Sequence, residues 1–196
     1  MTKTLLQLAG ADLKPASLRE ACLVLIDYQY EYVAGPIALP NAGAAIASAA
    51  RLLAQARSIG TPIIHVAHKG RSGGLFDRAA ERGAIVSAVA PLPGEPVVEK
   101  PLPNAFADTD LQARLTAAGR KNIILAGLMT HMCVSSTARA ALDLGFRTTI
   151  DANGCATRDL PDGCGGVVPA ETVHEVALVE LSDRFAIIAR NSEDLF

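Results

Sequence analysis

No apolar run in this 196-residue chain approaches the ~20 residues needed to span a bilayer, so no membrane-crossing segment is expected. The opening stretch MTKTLLQLAGADLKPASLREAC has only a short apolar patch before it turns polar, without the longer apolar core of a secretory signal. Basic residues form no run, and 18 Lys and Arg against 20 Asp and Glu leave a net charge of −2. That balance gives little attraction for a phosphate backbone, so nucleic acid is not an expected partner. The four cysteines, at 22, 133, 155 and 164, contain no CxxC pair. A disulfide framework is therefore not expected in a chain of this length, and a reducing cytoplasm is the simplest compartment. A glycine-rich phosphate loop is missing where a nucleotide-binding fold needs one: the first candidate strand runs into DYQYEYVAGPIALPNAG, and DGCGGVV near 163 follows no strand directly. There is no internal repeat and no low-complexity tract.

What the chain has in quantity is apolar residues, 50% of the total, enough to bury the core of one domain over 1–196, with 1–19 as an N-terminal extension. Short continuous apolar runs occur at 21–27, 61–68, 95–100, 121–127, 146–151 and 184–189. Runs of that kind, bounded by turn residues, read as strands buried on both faces. Helical patterns lie between them at 41–60, 108–119, 133–145 and 169–183, three of them closed by Gly60, Gly119 and Gly145. The alternation predicts a three-layer α/β/α sandwich around a six-stranded, mainly parallel, doubly wound Rossmann-like sheet. The stretch 69–94, rich in Gly, Pro and charge, interrupts the pattern and reads as an excursion near the site, with a short helix at 77–89.

Ligands of open α/β sheets bind outside the carboxyl ends of the strands. There the first strand ends in Asp27, the second carries His65 and His68, the third ends in Lys100, and the fourth leads through a short turn to Cys133. Each has a structural reading: a carboxylate as a turn former, a lysine on an exposed turn, a cysteine as a small core residue. Together they put an acid or base, a cation and a thiol on one edge. A thiol at a helix start beside a cation is expected to have a lowered pKa, and an adjacent carboxylate can move its proton. Cys133, Ser136, Thr137, Ala140, Ala141 and Leu144, spaced by three and four, predict one face of mostly small residues packed close to the sheet.

Three motifs in order, LVLIDYQYEY, VVEKPLPNAFADTDL and AGLMTHMCVSSTARAALDLGFRTTIDANGCAT, resemble those of the isochorismatase-like cysteine hydrolase superfamily, whose branches include nicotinamidases, N-carbamoylsarcosine amidohydrolases and ureidoacrylate amidohydrolases. The resemblance runs from about 20 to 190. It implies a catalytic triad of Asp27 as general acid/base, Lys100 as electrostatic support and Cys133 as nucleophile. It also implies a cis peptide joining Leu128 to Met129, and an oxyanion hole from the N–H groups of Met129 and Cys133. Tyr28, Gln29, Tyr32, His68, Phe106 and Thr130 are the expected substrate wall, with Tyr30 a further aromatic candidate. The reaction implied is hydrolysis of a small amide, ureido or carbamoyl compound through a Cys133 thioester, with release of ammonia or an amine. No cofactor is expected: the nicotinamidase branch uses an Asp and several His for a metal, whereas HVAHKGRSGGLFD has no acidic residue near its histidines before Asp77. Relatives are usually dimers or larger, so self-association is expected. A vinyl-ether hydrolase, which needs no thiol, and a non-catalytic binding or scaffold protein are the alternatives. A redox role would need a resolving thiol from Cys155 or Cys164. Arg158 and His174 could reach a substrate or lie on the surface.

Overall fold

The six apolar runs meet in one sheet. A computed structural model describes residues 2–196. The strands are β1 (Ala21–Ile26), β2 (Ile63–His68), β3 (Val97–Lys100), β4 (Asn122–Gly127), β5 (Arg147–Asp151), then β6 (Leu160–Pro161) and β7 (Val167–Val168), and last β8 (Ile187–Ala189). The sheet runs β3-β2-β1-β4-β5-β8 with every pair parallel, while β6 and β7 form a separate antiparallel hairpin. β1 is central and wholly buried; its Val24 stands opposite both Ile64 and Leu125.

Successive β1 residues face opposite layers. Leu23 and Leu25 enter the core under α3 (Ala42–Ser58), after the one-turn α1 (Leu5–Leu8) and α2 (Glu31–Ala34). Cys22, Val24 and Ile26 enter the core under α4 (Leu111–Ala117), α5 (Ser135–Asp143) and α6 (Ala170–Arg184). α3 sits close to the sheet because its inner face is small, with Ala42, Ala45, Ala49 and Ala56 around Leu52 and Leu53. Gly60, Gly119 and Gly145 take left-handed φ values of 71°, 67° and 81° just past α3, α4 and α5, where a side chain would be strained. The arm before β1 is tied down by Leu5 N–H to Asp183 and Ala16 N–H to the Thr149 hydroxyl. Among the described residues no helix is long and apolar enough to cross a membrane.

Two local expectations differ from the structure. The 77–89 segment holds two 3-10 turns, Glu81–Gly83 and Ser87–Val89, instead of a short α-helix. Close packing bends it: a Cβ at Gly83 would lie 1.9 Å from the Asp77 carbonyl. The inner face of α5 is Val134, Ser135, Thr137, Ala138 and Ala141, while Leu144 is exposed. A π-helical turn at Thr130–Val134 precedes α5, and its extra residue resets the helical phase.

Candidate active site

Asp27 follows β1 directly, and its φ of 54° is left-handed. A non-glycine residue keeps that conformation only when its surroundings fix it, and here Val66 O accepts the Asp27 N–H at 2.9 Å. Lys100 ends β3, where its register partner is His68 at the end of β2. Cys133 lies inside the π-helical turn between β4 and α5. All three are buried.

The three side chains meet at one atom. Lys100 Nζ lies 2.7 Å from Asp27 Oδ2 and 3.3 Å from Cys133 Sγ. It also lies 3.2 Å from His68 Nδ1 and donates to Leu102 O at 3.1 Å. The Asp27–Lys100 contact is close, but among the described residues neither carboxylate oxygen has a well-angled hydrogen bond, leaving Asp27 with acceptor capacity for an incoming group. Burial holds the Asp27 carboxyl above the usual range against the pull of Lys100. Burial, followed by the Asp27 charge, also pushes the Cys133 thiol up to about 12, although Lys100 opposes both. The expected lowering of the thiol pKa is therefore reversed: desolvation outweighs the cation and the helix start. The site thus sets a thiol beside the Asp27–Lys100 pair.

The expected wall residues divide by what they touch. Tyr32 and His68 each pack edge-on against Phe76, with ring centroids 5.1 and 5.0 Å apart, and burial pushes the Tyr32 hydroxyl well above its usual range. Thr130 is buried beneath His174, its hydroxyl 2.8 Å from Nδ1, and its N–H reaches Ala156 O. The other three make their recorded contacts within the scaffold. Tyr28 is buried and donates its hydroxyl to Gly154 O. Gln29 clamps the His68 backbone, accepting its N–H at 2.8 Å and donating to its carbonyl at 3.0 Å, and also donates to Gly83 O. Phe106 stacks on Phe146 at 5.9 Å, both rings half-buried against the core under α4 and α5. Tyr30 lies against the excursion, its hydroxyl accepting from Ser87 N–H.

The Leu128–Met129 peptide bond is cis, and among the described residues the Met129 N–H finds no protein acceptor. His131, the residue after Thr130, bonds the Thr157 hydroxyl at 2.5 Å, so the loop after β5 and helix α6 both hold the nucleophile turn. Arg158 is half-buried and makes no ion pair among the described residues. Cys155 is buried and Cys164 exposed, and neither is in a disulfide. No group of three or more His, Cys, Asp or Glu among the described residues is placed to hold a metal ion.

Sequence reasoning missed Phe76 and Glu31. Phe76 has a left-handed φ of 57°; its N–H reaches Glu31 Oε2 at 3.1 Å, and Glu31 Oε1 faces Arg82 at 3.2 Å. The available signal was an apolar residue inside the polar run RSGGLFD and an acid between two tyrosines in YEY.

The Isochorismatase domain model matches residues 21–193, which include every residue of this site. The chain belongs to the isochorismatase family. A crystal structure of an isochorismatase from Pseudomonas putida superimposes with a TM-score of 0.95 at 41% identity, covering 100% of both chains. The secreted isochorismatase effector Isc1 of Verticillium dahliae is 36% identical over 185 residues, 94% of this chain and 95% of that one. The maleamate amidohydrolase of Pseudomonas putida is 34% identical over 149 residues, 67% of this chain and 70% of that one. This isochorismatase-family chain is accordingly a hydrolase of the α/β class, and its relatives include enzymes named for cleaving amides.

Proposed function

We propose that this protein hydrolyses a small amide, ureido or carbamoyl compound, using Asp27, Lys100 and Cys133 as its catalytic triad. The observation that carries the reading is one buried ammonium shared between a carboxylate at 2.7 Å and a thiol at 3.3 Å. When the Cys133 proton moves to Asp27, the carboxylate–ammonium pair becomes a thiolate–ammonium pair. The net charge of the buried site does not change. Moving the proton therefore avoids the large cost of an unpaired charge in a low-dielectric interior. This is how a thiol with a raised pKa becomes a nucleophile only as substrate arrives.

The thiolate adds to the substrate carbonyl, and the oxyanion faces the Met129 and Cys133 N–H groups, each such donor typically contributing ~2.7–4 kcal/mol in the transition state. Asp27 then returns its proton to the leaving nitrogen, and ammonia or an amine departs from the Cys133 thioester. Asp27 takes a proton from water, the hydroxide adds to the thioester, and collapse expels the thiolate, which Asp27 reprotonates. One water is consumed and one acid and one amine are formed. The maleamate amidohydrolase relative supports the amide class, and Arg158, half-buried and in no ion pair among the described residues, supports a substrate carrying an anionic group. A nucleophile-ready thiol disfavours a vinyl-ether hydrolase and a purely binding role.

We further propose self-association through the outer face of α6, where Val176 and Val179 are exposed. The four unpaired cysteines support a reducing cytoplasm, whereas the fungal relative is named as secreted. An ammonia-release screen over maleamate, N-carbamoyl amino acids and simple amides tests the activity, with Cys133→Ala as blank. Turnover by wild type that vanishes in the variant is expected; equal turnover in both sinks the mechanism.

A further inference from the structure

The edge of the sheet opposite the triad carries a cavity of about 300 Å³, where β5 and β8 begin. Leu142 of α5 with Phe146, Phe185 and Ile187 make its walls, and Leu6 of α1 lines it from the N-terminal arm. Asp27, Lys100 and Cys133 line none of it. Both aromatic rings are fixed from behind. Phe106 stacks on Phe146 and the Arg139 guanidinium lies 4.3 Å over Phe185, and neither partner lines the cavity. The walls are therefore held in shape before a ligand arrives, as in most small-molecule sites.

Two polar groups in the lining lack a protein partner. Side chains alternate along β5: the Thr149 hydroxyl accepts from Ala16 N–H in the core under α3, so Thr148 turns with Ile150 toward α5 and α6. Thr148 is 2% exposed, and its hydroxyl has no hydrogen-bond partner among the described residues. A buried hydroxyl left unpaired is a cost that an incoming polar group removes. At the rim, Arg147 is already engaged by the arm: its Nη2 donates to the carbonyls of Asp12 and Lys14 at 3.1 and 2.6 Å and faces the Asp12 carboxylate at 3.7 Å. Arg184, in the last turn of α6, is exposed and in no ion pair among the described residues. Arg147 and Asp12 cancel, so the rim offers one positive charge.

We propose that this cavity binds a small aromatic monocarboxylate carrying a hydroxyl at the far end of its ring. The ring packs against Phe146 and Phe185, and the carboxylate stays at the rim with Arg184, because a deeply buried charge without a partner is expensive. That orientation carries the hydroxyl inward to Thr148, whose own hydroxyl can donate or accept. An apolar cavity of about 150 Å³ takes one benzene, so this one has room for the ring and two short substituents. The site is independent of the amidase reading and stands or falls without it.

Isothermal titration calorimetry of the full chain with 4-hydroxyphenylacetate tests it. Wild type is expected to bind one molecule per chain with a Kd on the order of 1 mM or below. Thr148→Val is expected to weaken this acid about tenfold and to leave 4-methylphenylacetate, which has no hydroxyl, unchanged. Arg184→Gln is expected to weaken both acids about threefold and to leave 4-ethylphenol, which has no carboxylate, unchanged. Arg184 is exposed, so this variant keeps the test open even if Thr148→Val fails to fold. No binding to wild type, or binding that neither substitution alters, overturns the proposal. Sedimentation velocity covers the remaining occupant: a dimer that the acid dissociates would place a second copy of the chain in the cavity, and that also overturns it.

Discussion

Replacing Lys100 with methionine leaves Asp27 buried without its counterion, 2.7 Å from where the ammonium stood. The carboxyl then escapes the penalty by taking a proton, which sets a ceiling on the damage. Protonating an aspartate with an unfolded-state pKa near 3.9 costs about 4 kcal/mol at pH 7, at ~1.4 kcal/mol for each pH unit. Wild-type Asp27 already bears part of the burial penalty, since its carboxyl stands above the usual range even with Lys100 present. The expected loss is therefore roughly 2–4 kcal/mol at pH 7, a large share of the ~5–15 kcal/mol that holds a domain folded. Its sign with pH follows from the raised pKa. A neutral Asp27 costs nothing extra below the unfolded value, and the deficit opens as pH rises toward the raised folded value. Urea unfolding of wild type, Lys100→Met and Asp27→Asn/Lys100→Met from pH 4.5 to 8 measures this. The single variant should lose stability progressively with rising pH, and the double variant should be nearly flat. A deficit in Lys100→Met that is independent of pH between 5 and 7 would show that the ion pair does not govern the site.

Two further predictions concern the scaffold. Glu95, held by the Arg57 guanidinium and by His65, has its carboxyl lowered to about 2, so it stabilises the fold above pH ~4.5 and loses that contribution as pH falls toward 2. Glu95→Gln should lose on the order of 2–3 kcal/mol at pH 7 and flatten the acid limb of a pH-dependent melt; an acid limb identical to wild type would refute the assignment. The Thr148 hydroxyl in β5 is buried and has no hydrogen-bond partner among the described residues. Thr148→Val keeps its β-branched shape and removes the unsatisfied group, so a gain of about 1–3 kcal/mol is expected in denaturant unfolding, and a loss would show that the hydroxyl is satisfied in solution.

The periodic parts of the chain were readable because their physics is local. All six sheet strands lie within a few residues of the apolar runs, and glycines past α3, α4 and α5 end those helices for a reason that needs only their own backbone. The meeting of Asp27, Lys100 and Cys133 was readable too, because parallel strands deliver their carboxyl ends to one edge. What was not readable depends on distant partners. Tyr28 and Gln29 sit next to Asp27 in sequence, yet their polar atoms belong to Gly154, Gly83 and the His68 backbone. The thiol pKa moved the other way because charge neighbours can be guessed from spacing, whereas the depth of burial requires the whole fold. The 69–94 excursion escaped for the same reason, its 3-10 turns being shaped by contact with Glu31 and Gln29 instead of by their own periodicity.

The central place of β1 has a consequence for synthesis. Its Ala21 pairs with Asn122, so at ~5–20 residues per second one flank of an entirely apolar strand waits about 5–20 s on the ribosome for its neighbour to be made. During that interval the half-sheet of β1, β2 and β3 offers ACLVLI as an open edge to any other nascent chain. Yield in cells should therefore depend on chaperone capacity and translation speed through residues 69–121 more than on the stability of the finished enzyme.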